Sequence, residues 1–306
     1  MMKIFGHMNP DTDTITSAMV LADLQNELGN PATAYRLGDV NKETAFALDY
    51  FKVAAPELLT EVTGDDTVCL VDHNEFAQSV AGIEKASVYM VVDHHRVSGF
   101  NSSEPLWFRV EPVGCTATIL YKMYLEFDVV IKPHIAGLMV SAIMSDSLGF
   151  KSPTCTEMDK TACLKLAQIA NIDLDTYGLD MLKAGTDLSD LTVEQMLSID
   201  AKVFAMNDLK AEIAQISTVD IDEVLKRKTE LEAAMTKTIT EKGLDLFLCV
   251  ITDVMNSNSG IIALGNRTDL VETAFGTTLE QSGAFLEGVV SRKKQIVPPL
   301  EKAAQV

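Results

Sequence analysis

Histidine and aspartate occur together at three places in the first half of the chain. His7, Asp11 and Asp13 lie within GHMNPDTD, Asp72 lies within VDHNE, and His94 lies within VVDHHR. Neighbouring carboxylates repel one another unless a cation relieves the repulsion, and carboxylate and imidazole groups both bind divalent metals. These three motifs therefore predict a metal site.

Caps and turns explain single members of this set equally well. Asp13 could cap a helix that begins near Thr14. Asp72 and Asp93 could form turns where their apolar strands end, and Asp146 in MSDSLGF could form an Asx turn. Because turns do not account for two Asp-His pairs together with the first motif, metal binding is the preferred interpretation.

A ligand set that is rich in oxygen and contains two imidazoles suits Mn²⁺, with Co²⁺ or Mg²⁺ as substitutes. The set is large enough for two ions. Two cations roughly 3.5–4 Å apart lower the pKa of a shared water and brace the attacking and leaving oxygens of an in-line displacement. The expected chemistry is hydrolysis of a phosphoester or a phosphoanhydride.

Positive charge that could bind phosphate groups is concentrated near the C-terminus, in SRKKQ, which includes Arg292 and Lys293. This run follows the apolar FLEGVV, which favours a binding role over a solvated charged surface. Lys202 in DAKVF and His134 before an apolar helix pattern are ordinary surface residues by the sequence alone.

The elements that must position the aspartates have the pattern of parallel strands with crossover helices. Short apolar runs (KIF, TAY, VCLVD and VYMVVD) alternate with helical patterns that start near Thr14 and cover 116–127 and 134–145. Ligands of open α/β sheets bind beyond the carboxyl ends of the strands. The polar motifs follow the strands, so we expect them to converge.

The second half predicts helices over 192–215 and 219–242, followed by strands in LFLCVIT, GIIALG and AFLEGVV. The small and polar segment from Lys183 to Thr192 indicates a linker. We therefore expect an α/β fold with three parts: a metal-binding domain (1–187) whose mostly parallel sheet has helices on both faces, a hinge (188–191), and a smaller substrate-binding α/β domain (192–306). The active site is expected in the cleft between the domains.

Composition excludes several classes of protein. The 306 residues include 44 acidic and 25 basic side chains, a formal charge of −19, which argues against a general nucleic-acid binder. No segment has the pattern of a signal peptide or a membrane span. The five scattered cysteines form no Cys-x-x-Cys pair. We expect a cytoplasmic protein with reduced thiols and with neither a membrane nor a nucleic-acid partner.

Seven motifs taken in order resemble the manganese-dependent family II inorganic pyrophosphatases of the DHH phosphoesterase superfamily: GHMNPDTDTITSA, LVDHNE, VVDHHR, EPVGCTAT, SDSLGFKSPT, DAKVF and SRKKQIVPPL. The resemblance covers essentially the whole chain. It implies two Mn²⁺ per subunit, additional Mg²⁺ with the substrate pyrophosphate, and a homodimer through the N-terminal domain, with VYMVV as a candidate free edge strand. Thr14 and Ser147 depart from the family's frequent Ser and Thr, at positions expected not to touch a ligand.

The resemblance also implies roles for individual residues. One metal would be bound by His7, Asp11, Asp72 and Asp146, and the other by Asp13, Asp72, His94 and Asp146, with Asp93 orienting a ligand. His95, Lys202, Arg292 and Lys293 match contacts to the substrate's phosphates. His95 would donate a proton or a hydrogen bond to the leaving phosphate, and the expected catalytic residues are His95, Asp11, Asp13, Arg292 and Lys293.

The implied reaction is direct attack on pyrophosphate by a hydroxide that bridges the two metals, with no covalent intermediate. The nearest alternative is another phosphohydrolase of the superfamily, acting on short polyphosphate, cyclic dinucleotides or single-stranded nucleic acid. The GGGH-like motif of the nucleotide-cleaving relatives is absent from the sequence. A catalytically inactive regulator that binds metal or phosphate is a further alternative.

Overall fold

The computed structural model describes residues 1–207 and 209–305. It divides into two compact units, Met1–Gly185 and Thr186–Val306. Residues 186–192 contain neither helix nor strand. This segment includes the predicted linker, whose limits and hinge role stay predictions.

The first unit contains a six-stranded sheet in which every pair of neighbouring strands is parallel. Its strands are β1 (Met2–Phe5), β2 (Ala32–Arg36), β3 (Glu57–Leu58), β4 (Thr67–Val71), β5 (Ser87–Asp93) and β6 (Trp107–Val110). Their spatial order is β3-β2-β1-β4-β5-β6. Because the chain builds outward in opposite directions from β1 and β4, the carboxyl ends of these two strands flank a crevice of the kind that binds ligands in open α/β sheets.

Alternate residues of these strands belong to two separate hydrophobic cores, as the period of two in a strand requires. Ile4 and Val71 pack with six helices, whereas Phe5 and Leu70 pack on the other face with Ile83 of a single-turn 3₁₀ helix. The helices are α1 (Thr12–Glu27), α2 (Lys42–Tyr50), α3 (Thr116–Glu126), α4 (Pro133–Asp146), α5 (Glu157–Ala170) and α6 (Leu174–Gly185). The predicted parallel α/β fold is confirmed, with the long helices on one face and short helical turns, 76–78 and 83–85, on the other.

The second unit is built on a five-stranded mixed sheet. Its strands are β7 (Ala201–Met206), β8 (Leu209–Thr218), β9 (Leu246–Asp253), β10 (Asn258–Gly265) and β11 (Gly283–Leu286), in the order β11-β10-β9-β8-β7. Only the β8–β9 pair is parallel among these described strands. Helices α7 (Val193–Ser198), α8 (Ile221–Leu225) and α9 (Lys228–Lys242) pack on one face, and α10 (Asp269–Phe275) and α11 (Val297–Ala303) pack on the other. The prediction of a smaller C-terminal α/β unit is confirmed.

The predicted helix over 192–215 is wrong beyond Ser198. The chain continues as the antiparallel strands β7 and β8, in which Met206 pairs with Leu209 and Asn207 has a φ of 53°. Alanine, lysine and glutamate favour helices in isolation, but β8 pairs with β9 over eight residues and this tertiary pairing overrides the local preference. Lys202 therefore lies on a strand.

The predicted free edge strand is also wrong. VYMVV belongs to β5, which pairs with β4 on one side and with β6 on the other. The segment Trp107–Val110, which the sequence analysis did not identify as a strand, forms the sixth strand and lies at one of the two edges of the sheet. No helix within 1–207 and 209–305 combines the length and the apolarity that crossing a bilayer requires.

Candidate metal centre

The turn between β1 and α1 brings His7 and Asp11 together. Asp11 is the N-cap of α1, because its Oδ1 accepts the backbone N–H of Thr14 at 2.9 Å. Its Oδ2 lies 3.6 Å from His7 Nε2. The capping role considered for Asp13 is wrong: Asp13 lies one residue inside α1, in its first turn.

Asp72 follows β4 in the left-handed region (φ 58°) and is buried between two imidazoles. Its Oδ2 lies 3.4 Å from His7 Nε2 and its Oδ1 lies 3.3 Å from His94 Nε2. The hydroxyl of Thr14 donates to Oδ2 at 2.6 Å, and that of Thr116 donates to Oδ1 at 3.2 Å. Burial alone would raise the pKa of Asp72, but the contacts with His7 and His94 outweigh burial and lower it.

Asp13 and Asp146 form an acidic pair on the other side of Asp72. Asp13 is buried and accepts the backbone N–H groups of Thr116 at 2.7 Å and of Ala117 at 3.3 Å, at the start of α3. Burial, followed by the charge of Asp72, raises the pKa of Asp13 to about 7. Burial and the charges of Asp13 and Asp72 likewise raise the pKa of Asp146 well above its usual range. These carboxylates repel one another, and a bound cation would relieve the repulsion.

The donor atoms of this cluster fit divalent metal ions. His94 Nδ1 lies 3.1 Å from the carbonyl oxygen of Val113. A carbonyl only accepts, so Nδ1 carries a hydrogen. Nε2 faces Asp72 and also Asp146, whose Oδ2 is 3.7 Å away, and in the neutral ring this nitrogen is the one that can bind a metal. Within the part of the chain that the structure describes, three groups have potential ligand atoms within 4.8 Å of one another: His7, Asp11 and Asp72; Asp13, Cys115 and Asp146; and Asp72, His94 and His95.

Asp93, at the end of β5, holds the ring of His95. Its Oδ1 accepts the backbone N–H of His95 at 3.0 Å and lies 2.9 Å from His95 Nδ1. Its Oδ2 accepts from Asn74 Nδ2 at 2.6 Å. The contact with Asp93 raises the pKa of His95. The other edge of the His95 ring is left toward solvent, since the side chain is 53% exposed.

Cations from two distant parts of the sequence meet within the second unit. Lys202 on β7 lies with Arg292 and Lys293 around a pocket of about 580 Å³. The guanidinium of Arg292 is buried and contacts Asp200 Oδ1 at 2.6 Å. This pocket presents positive charge in a chain that is strongly acidic overall.

Sequence and structure comparisons agree on the relatives of this chain. The DHH family, N-terminal domain, matches residues 2–143, and the DHHA2 domain matches residues 179–303. A manganese-dependent inorganic pyrophosphatase from Bacillus subtilis is 57% identical over 301 residues, and a probable one from Bacillus velezensis is 58% identical over 301 residues; each alignment covers 98% of this chain and 97% of the relative. The crystal structure of a putative family II inorganic pyrophosphatase from Methanococcus jannaschii is 39% identical, with a TM-score of 0.64 and full coverage of both chains.

The chain belongs to the family of manganese-dependent inorganic pyrophosphatases. This bears out the resemblance drawn from the seven motifs. Each of the six predicted metal-binding residues lies in at least one of these ligand groups. The structure places Asp146 with Asp13 and His94, whereas Asp72 is the carboxylate that belongs to two groups. The role of each residue as a ligand stays a prediction.

Several residues of the site were missed by the sequence analysis. The expectation that Thr14 touches no ligand is wrong, because its hydroxyl donates to Asp72. Thr116 and Asn74 also contact the central carboxylates, and Asp200 contacts Arg292. Asn74 directly follows the Asp-His pair of VDHNE, which is a usable signal. Thr116 and Asp200 reach their partners only through tertiary structure.

Proposed function

We propose that this chain hydrolyses inorganic pyrophosphate to two phosphates, using two divalent metal ions per subunit, in the first place Mn²⁺. The observation that carries the proposal is the position of Asp72 between His7 and His94, with one oxygen directed to each. One buried carboxylate shared by two ligand groups is the arrangement that holds two ions close together. The substrate is the one named for the family.

We assign His7, Asp11 and Asp72 to one ion, and Asp13, Asp72, His94 and Asp146 to the other. Two ions bound by these residues would lower the pKa of a coordinated water and neutralise charge on the phosphates. Thr14 and Thr116 keep the two oxygens of Asp72 directed to opposite sides. Co²⁺ or Mg²⁺ substitute for Mn²⁺ at these oxygen-rich positions, and further Mg²⁺ accompanies the substrate.

Lys202, Arg292 and Lys293 bind the phosphates of the substrate, because they supply the positive charge that an in-line phosphoryl transfer needs. Hydrolysis forms one P–O bond to water and breaks the bond to the bridging oxygen, with no covalent intermediate. The leaving oxygen then needs a proton. His95 supplies it from Nε2, since Nδ1 faces Asp93 and the contact with Asp93 raises the pKa of the ring.

Two further properties belong to this proposal. The subunit forms a homodimer through the N-terminal sheet, because the edge strand β6 carries the exposed side chains Trp107 and Phe108. The protein is cytoplasmic, which agrees with five free cysteines, four of them buried.

The test is phosphate release from pyrophosphate, tripolyphosphate and a chromogenic phosphomonoester after incubation with Mn²⁺. We compare the wild type with Asp72→Asn and with Asp65→Asn, a control at an exposed loop position. Hydrolysis confined largely to pyrophosphate, dependent on metal, lost in Asp72→Asn and kept in Asp65→Asn supports the proposal. Equal or faster cleavage of tripolyphosphate would identify a polyphosphatase, and no release from any substrate would identify a binding protein.

A further inference from the structure

One edge of the Arg292 guanidinium is already occupied by a single residue of the second unit. Nη1 donates to the backbone oxygen of Asp200 at 2.5 Å, and Nη2 donates to its Oδ1 at 2.6 Å. Nη1 also donates to the backbone oxygen of Ile213 at 3.3 Å. The end of the guanidinium group is therefore enclosed by Asp200 and by strand β8.

The remaining donors of Arg292 form a second edge. A guanidinium has five N–H donors in a rigid plane, and three of them are used in these contacts. Among the described residues, no contact uses Nε–H or the second hydrogen of Nη2. These two donors lie side by side on one edge, which is the geometry that binds two oxygens of one phosphate.

Both partners are fixed in place by their own neighbours. Asp200 directly precedes β7, and its backbone oxygen also accepts the N–H of Gln215 at 2.9 Å, which ties it to β8. On the side of Arg292, Gln295 Oε1 accepts the backbone N–H groups of Val290 and Ser291, both at 3.0 Å. The pair is therefore held in place from both sides before any substrate binds.

We propose that Asp200 is a positioning residue for substrate binding. It holds one edge of Arg292 so that the neighbouring edge, Nε–H and Nη2–H, makes two hydrogen bonds to one phosphate of the substrate. This inference rests on the proposed function. It also predicts the direction in which substrate affinity changes. Asp200 is negative and adjoins the cationic pocket, so a purely electrostatic effect of removing it would strengthen the binding of an anion, whereas loss of a positioning role would weaken it.

The experiment compares Asp200→Ala and Asp200→Asn with the wild type in steady-state hydrolysis of pyrophosphate. The control is Asp269→Ala, which removes a comparable Arg–Asp contact, 3.0 Å from Arg267, on the exposed surface of the same unit. We expect Asp200→Ala to raise KM about tenfold. Asp200→Asn keeps an oxygen acceptor for Nη2 and should change KM less than about threefold, and Asp269→Ala should leave KM unchanged.

A lower or unchanged KM in Asp200→Ala overturns the proposal, whatever happens to the melting temperature. If that variant fails to fold, Asp200→Ser takes its place, because serine also removes the carboxylate. KM should again rise about tenfold, and a lower or unchanged KM overturns the proposal.

A second measurement separates this inference from the proposed function. In NMR spectra, inorganic phosphate should shift the Nε–H resonance of Arg292 in the wild type and in Asp269→Ala, and the shift should be lost in Asp200→Ala. This result with no pyrophosphate hydrolysis would support the positioning role while the proposed function fails. Hydrolysis by the wild type with an equal phosphate shift in Asp200→Ala would support the proposed function and refute the positioning role.

Discussion

Thr14, in the first turn of α1, and Asp72, at the end of β4, are joined by a 2.6 Å hydrogen bond between the threonine hydroxyl and Oδ2. Both side chains are buried. Asp72 Oδ2 also faces His7 Nε2, so the bond from Thr14 sets the direction in which this oxygen points. A group that orients a metal-binding carboxylate in this way contributes to metal affinity without touching the metal.

Replacement of Thr14 tests this contribution. Thr14→Val removes the hydroxyl at nearly constant volume, and we expect Mn²⁺ affinity to fall by about 10- to 100-fold, the usual cost of losing such a partner. Thr14→Ser keeps the hydroxyl and is the matched control, with affinity close to that of the wild type. Both affinities are measured by isothermal titration with Mn²⁺. Equal affinities in the two variants would contradict the role assigned to the hydroxyl.

Asn74 should matter for turnover through Asp93 and His95. Its amide donates to Asp93 Oδ2 and to the backbone oxygen of Arg96, so it ties the loop after β5 to the end of β4. Asn74→Ala leaves a buried carboxylate oxygen without this donor, at a cost of about 1–3 kcal/mol. We expect kcat to fall about tenfold or more while Mn²⁺ affinity changes little. The control Asn101→Ala, at an exposed position, should keep the wild-type kcat. If Asn74→Ala lost Mn²⁺ affinity by the same factor as kcat, this prediction would be contradicted.

Metal binding should release protons at neutral pH. Burial lowers the pKa of His7, but its contacts with Asp11 and Asp72 outweigh burial and raise the pKa to about 10. For His94, the contact with Asp72 and the charge of Asp13 likewise outweigh burial and raise the pKa to about 9. Both rings are therefore protonated at pH 7 in the metal-free protein and must become neutral to bind a metal, so Mn²⁺ affinity should weaken as the pH falls below 9.

Titration calorimetry in two buffers of different ionisation enthalpy measures this proton release. His134→Gln, which alters an exposed histidine at the start of α4, should release the same number of protons as the wild type. The same protonation also stabilises the metal-free fold. The contribution of protonated His7 and His94 to the free energy of unfolding is fully present below pH 6.5 and is lost as the pH rises through 9 to 10. Metal binding without proton release at pH 7 would contradict these raised pKa values.

The proposed dimer can be tested by substitutions at the edge strand β6. Trp107 is 62% exposed on this edge. Trp107→Lys places a charge on the edge and should convert the proposed dimer to monomers in sedimentation velocity. Val130→Lys changes a more exposed apolar residue that lies outside the strands and should leave the dimer intact. Dissociation by both substitutions, or by neither, would argue against an interface at β6.

The sequence alone was enough to predict the class of fold and the six candidate metal ligands that the structure brings into the ligand groups. His7, Asp72 and Asp93 each follow an apolar run that is a strand in the structure, and parallel strands bring their carboxyl ends to one edge of the sheet. The local sequence pattern therefore predicted that these three side chains lie close together. Residue type alone indicated the chemistry, because carboxylate and imidazole ligands restrict the choice of metal.

Tertiary structure decided the features that depend on pairing between distant segments. The helix predicted through residue 215 became the strands β7 and β8, since pairing with β9 outweighs the helical preference of their residues. The edge strand is β6 and not the predicted β5, because a strand of four residues gives only a weak pattern in the sequence and was not predicted. Thr116 and Asp200 reach Asp72 and Arg292 across 44 and 92 positions of the chain, and contacts of this kind exist only once the sheets and helices have packed.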